Sequence, residues 1–137
     1  MMDELRGSCL CGAITFSIEN QFNHFQLCHC VQCQKTTGSA HASNLFTDPS
    51  YITWHTGQDL IVRYDEKDRR ISNAFCSACG SRTPFTSHSG EILAVPAGAL
   101  EGTPKIDPQA NIFWSERASW YEKAIAAECF STFSTHD

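Results

Sequence analysis

Seven of the eight cysteines in this 137-residue chain fall into three short runs: Cys9-Leu10-Cys11, Cys28-His29-Cys30-Val31-Gln32-Cys33 and Cys76-Ser77-Ala78-Cys79. Thiolates one or two residues apart can grip a single ion from one turn, which makes such runs the local unit of tetrahedral zinc sites. A chain whose runs share ions must fold so that remote turns meet. The count divides into two pairs, enough for one closed four-thiolate site, and a triplet that leaves a fourth position open.

A disulfide framework is the rival use of eight cysteines, with on the order of a hundred possible pairings. Three observations weigh against it. The start, Met1-Met2-Asp3-Glu4-Leu5-Arg6, lacks the basic and apolar stretches of a secretory signal. No apolar run approaches the roughly 18 residues of a membrane span. With 42% hydrophobic residues, the chain can also bury a core without covalent staples. The expectation is a reduced, cytoplasmic protein with no membrane contact. A formal charge of −5 argues against a nucleic-acid footprint. The densest basic stretch, Lys67-Asp68-Arg69-Arg70, is neighboured by Asp65 and Glu66 and reads as a solvated turn.

Period-two alternation is the main structural signal. Ile14, Phe16 and Ile18 share one face of a first strand, and Phe25-Gln26-Leu27-Cys28 alternates briefly into the triplet. Leu60 to Tyr64, Arg70 to Cys76 and Glu91 to Pro96 are further strands, with turns at Thr56 to Asp59, His88 to Gly90 and Ala97-Gly98. This pattern predicts an all-β, mainly antiparallel sandwich or open barrel in a single domain, 1–137. Two segments depart from it. Cys30 to Thr37 predicts a short helix stopped by Gly38, and Ser115 to Ala127 reads as a helix or a set of turns.

The pairs Cys9/Cys11 and Cys76/Cys79 lie far apart in sequence, so an ion shared between them contributes folding energy and is chemically quiet. Cys28, Cys30 and Cys33 instead form the three-ligand arrangement of catalytic zinc. Three thiolates already make a dipositive ion net anionic, which disfavours hydroxide and favours a soft fourth ligand such as another thiolate. A small-molecule thiol is the natural guest. The alternative is closure by a histidine, with His24, His41, His55, His88 and His136 as candidates. His29 is set aside because backbone alternation turns it from its neighbours.

These runs, in this order and with their flanking residues, resemble a known family. Gly7-Ser8-Cys9-Leu10-Cys11-Gly12-Ala13-Ile14, Cys28 to Gly38 and Phe75-Cys76-Ser77-Ala78-Cys79-Gly80-Ser81 are similar to the glutathione-dependent formaldehyde-activating enzymes, which also include centromere protein V. Trp54-His55-Thr56-Gly57, Ala97 to Leu100 and Ile112-Phe113-Trp114 with Trp120 extend the resemblance over nearly the whole chain. It implies a β-tent of stacked antiparallel sheets with one structural and one catalytic zinc. It implies Cys9, Cys11, Cys76 and Cys79 as structural ligands and Cys28, Cys30 and Cys33 as catalytic ones. It also implies a carbon–sulfur lyase chemistry run in reverse, joining glutathione to formaldehyde as an S-hydroxymethyl adduct. A non-catalytic thiol carrier and a zinc-stapled interaction module are the alternatives.

Glutathione carries two carboxylates, so cations belong near the open position. Lys35, two residues beyond Cys33, is the closest in sequence, and Arg63, Arg82 and Arg117 read first as solvated surface cations. Thr36, Thr37 and Ser39 hydroxyls read as caps of the short helix. Cys129 has no cysteine neighbour and reads as a small apolar filler.

Overall fold

In the computed structural model, residues 3–69 and 71–134 are described. Arg70 and His136 lie outside them. Among the described residues, eleven strands and two short helices follow one another: β1 (Glu4–Ser8), β2 (Thr15–Glu19), β3 (His24–Cys28), α1 (Val31–Thr37), β4 (Ala42–Thr47), β5 (Ile52–Thr56), β6 (Ile61–Asp65), β7 (Ser72–Cys76), β8 (Phe85–Thr86), β9 (Leu93–Pro96), β10 (Leu100–Glu101), β11 (Ala110–Ile112) and α2 (Tyr121–Ile125). They form a four-stranded sheet β10-β1-β2-β5, a five-stranded sheet β11-β3-β4-β9-β8 and a two-stranded ribbon β6-β7. All pairings are antiparallel except β11 with β3. The fold is all-β, as the alternation predicts.

The two larger sheets pack around one apolar core. Leu5, Phe16 and Ile18 come from the first sheet, and Leu45, Leu93 and Val95 from the second. Phe16 and Ile18 lie on one face of β2 because successive strand residues alternate sides. Ile14, which the alternation places with them, is buried instead in a second cluster with Cys9 and Cys76. Gly7 in β1 is a glycine for a packing reason: a Cβ there would collide with the Phe16 ring.

The helix after the triplet ends as expected, with Gly38 in the left-handed region (φ 64°) donating its N–H to Gln34 O at 2.8 Å. The Ser115–Ala127 segment resolves into a 3-10 turn at Trp114–Glu116 and the single helical turn of α2. No helix among the described residues is long and apolar enough to cross a membrane.

Candidate metal centres

Two tight turns build the first centre. After β1, Cys9 accepts the Gly12 N–H through its carbonyl at 3.1 Å and the Ile14 N–H through Sγ at 3.3 Å. After β7, Cys76 O accepts the Gly80 N–H at 2.7 Å. Gly12 and Gly80 both close their turns with positive φ, 80° and 79°. Ser81 joins the two turns. Its Oγ accepts the Leu10 N–H at 3.0 Å and shares a hydrogen bond with the Cys79 thiol at 3.4 Å. That contact leads the influences pushing Cys79 down to about 5. The sulfurs of Cys9, Cys11, Cys76 and Cys79 lie within 4.8 Å of one another.

The second centre sits where β3 runs into α1. Cys28 ends β3 opposite Ala42 of β4. Cys30 is the helix N-cap, its Sγ accepting the Cys33 N–H at 3.3 Å. All three thiols are buried, with Ile71 and Ile112 packed against them, and their sulfurs lie within 4.8 Å of one another. The hydrogen bond from Cys33 pushes Cys28 down to about 6 against the upward pull of burial. The same contact pushes Cys33 up. Protons are therefore shared unevenly until a cation displaces them.

Both clusters can hold metal ions, and their soft, converging thiol donors are compatible with zinc. No histidine nitrogen among the described residues joins the triplet. His29 is fully buried and turned away from it, with Nε2 2.9 Å from Asn111 Oδ1 and its ring edge-on to Trp114 and Tyr121. This aromatic cluster, with the Val31 N–H donating to Glu116 Oε1 at 3.1 Å, braces the triplet loop from the C-terminal segment.

The surrounding cations differ from their sequence reading. Lys35 is exposed on the last turn of α1, where a cation complements the helix end. Arg63 is held by Asp65 at 3.1 Å, and Arg117 by Glu122 at 2.6 Å and by the Trp114 face. Arg63 is exposed, while Arg117 is partly buried. Arg82, expected to be solvated, is half-buried instead, with Nε donating to Asn73 Oδ1 at 2.8 Å. Arg69 of the basic turn meets the Gln32 amide oxygen, turned toward it. Thr36 and Thr37 sit at the end of α1, where both hydroxyls donate back to Cys33 O, at 3.2 and 2.8 Å, and Thr37 Oγ1 accepts the Ser39 N–H at 3.1 Å. Cys129 is exposed and not an apolar filler.

Asn44 was not legible as a site residue. It lies on the face of β4 that also carries Ala42, opposite Pro96 of β9, and its buried Oδ1 has no hydrogen-bond partner among the described residues. Only the strand pairing reveals that this face is shared with Cys28.

Fold and site together define a thiol-rich β protein whose two cysteine clusters can hold metal ions. Residues 4–116 match the family described as glutathione-dependent formaldehyde-activating enzyme, and the chain belongs to that family. A Halomonas elongata protein named "Putative glutathione-dependent formaldehyde-activating enzyme" is 28% identical over 125 residues, covering 86% of this chain and 80% of the relative. A crystal structure of a Rhodobacter sphaeroides protein is similar with a TM-score of 0.58 and 26% identity, over 77% of this chain and 97% of that one.

Proposed function

We propose that this chain joins a small thiol, glutathione in the first instance, to formaldehyde or a related aldehyde. The thiol is held at Cys28, Cys30 and Cys33, while Cys9, Cys11, Cys76 and Cys79 hold a structural zinc. The observation that carries this reading is a buried group of three converging sulfurs, with no fourth ligand among the described residues, in a member of this family. Zinc bound there supplies acidification of an incoming thiol.

The chain's own part is positional. The strand end fixes Cys28, and the N-cap hydrogen bond fixes Cys30 relative to Cys33. Ile71 and Ile112 pack against the sulfurs and limit water there, which strengthens the electrostatics around them. Lys35 adds a cation on the exposed side of α1. In the reaction the thiol sulfur bonds to the carbonyl carbon, the carbon–oxygen π bond opens and the thiol's proton ends on that oxygen. Holding both partners in attack geometry contributes several kcal/mol to such an addition. Clustered thiols suit a reducing compartment such as the cytoplasm.

The test is the rate of S-hydroxymethylglutathione formation by the zinc-loaded protein, measured against the uncatalysed addition, with Cys30→Ser as control. The reading predicts a rate above background that Cys30→Ser abolishes. Glutathione binding without rate enhancement would make the protein a carrier instead.

A further inference from the structure

Arg82 is half-buried, yet no carboxylate pairs with it among the described residues. Two contacts fix its guanidinium plane: the Nε bond to Asn73 Oδ1 at 2.8 Å, and the Phe85 ring, whose centroid lies 5.8 Å from the guanidinium carbon. A backbone bridge to Phe75 holds it against β7. The terminal nitrogens have no hydrogen-bond partner among the described residues. A guanidinium stays charged in proteins, and a buried charge without a counter-ion is costly. Such a group calls for an anion.

Two features say where the anion comes from. Arg82 lines a cleft of about 480 Å³ between the first cysteine turn, at Ser8 and Leu10, and the Pro96 to Glu101 segment. Among the described residues it is the only cation on that lining, which also carries the Glu101 carboxylate. The volume is in the range of small-molecule sites. Asn73, which accepts from Arg82, lies two residues beyond Ile71, and Ile71 packs against Cys28, Cys30 and Cys33. Phe85 pairs with Ala94 on the sheet face that carries Pro96, Asn44, Ala42 and Cys28.

We propose that Arg82 anchors a carboxylate of the thiol substrate entering through this cleft, and that it makes the site select thiols bearing an anionic group. The inference rests on thiol binding at Cys28, Cys30 and Cys33. The guanidinium fork matches a carboxylate with two parallel N–H donors, and a point charge cannot replace that geometry. Glutathione fits because its thiol lies between two carboxylate ends.

The experiment is calorimetric titration of the zinc-loaded protein, as wild type, Arg82→Gln and Arg82→Lys, with glutathione, mercaptopropionate and mercaptoethanol. Wild type is expected to bind the two carboxylate thiols more tightly than mercaptoethanol. Arg82→Gln should lose about tenfold or more for those two and leave mercaptoethanol unchanged. Equal weakening of all three thiols would overturn the inference, because Arg82 would then only balance the charge of the metal centre. No change for any of them would overturn it as well. If Arg82→Gln fails to retain zinc, Arg82→Lys decides: a reduced carboxylate preference supports the anchor, and an undiminished one overturns it. Wild type binding none of the three would instead remove the thiol reading beneath it.

Discussion

Cys129 lies exposed after α2, its Sγ 3.8 Å from Ala127 O and away from both sulfur clusters. Cys129→Ala should therefore leave zinc content, thiol binding and thermal stability unchanged, within about 0.5 kcal/mol for an exposed position. Zinc analysis and a melting curve check this, and loss of an ion would make Cys129 a ligand. At this scale the division of the sulfurs into a group of four and a group of three was legible, because the cysteine runs and their count suggest it. Arg82 and Asn44 were not, since what each faces depends on β7, β8 and β9 assembling around it. Cation proximity in sequence pointed to Lys35; burial points to Arg82.

The turn at Gly57 shows how an element boundary depends on a single backbone position. Its φ of 74° is left-handed, and a Cβ there would strike the Ala13 carbonyl. Gly57→Ala combines backbone strain with a collision against main chain that cannot swing aside, so it should cost about 1–3 kcal/mol, read as a lowered melting temperature. A neutral outcome would mean that the β5–β6 turn relaxes freely. The strands that run into the cysteine turns, β3 and β7, were readable because alternation or β-branched residues continue up to the ligands. The strand β1 was not, because its buried Gly7 has no side chain to register as apolar. The strand β4 was hidden too, since Asn44 sits on its site-facing side and breaks the apolar alternation. The spacing of Trp120, Ala124 and Ala127 suggested a longer helix than the one turn formed. Only Tyr121 of that turn is partly buried, against His29, so little apolar contact holds further turns in place.

Across the whole molecule the two centres stand in different relations to the fold. The first joins the turn after β1 to the turn after β7, at a cluster where Cys9, Ile14 and Cys76 are buried together. The second lies within one strand–helix junction. Cys76→Ser should therefore remove the cross-link between remote segments and cost most of a total stability of about 5–15 kcal/mol. Cys30→Ser should stay folded, with zinc falling from about two ions per chain to about one. Equal thermal destabilisation of the two variants would make both centres structural.

The central claim is that the triplet centre accepts an external thiol, and cobalt(II) substitution reads this directly. Each added sulfur ligand intensifies the thiolate-to-cobalt charge-transfer band. Glutathione added to the cobalt-loaded wild type should strengthen that band to saturation, and Cys30→Ser should show no such rise. A spectrum unchanged at saturating glutathione would contradict the account, because the triplet would then be closed to thiols.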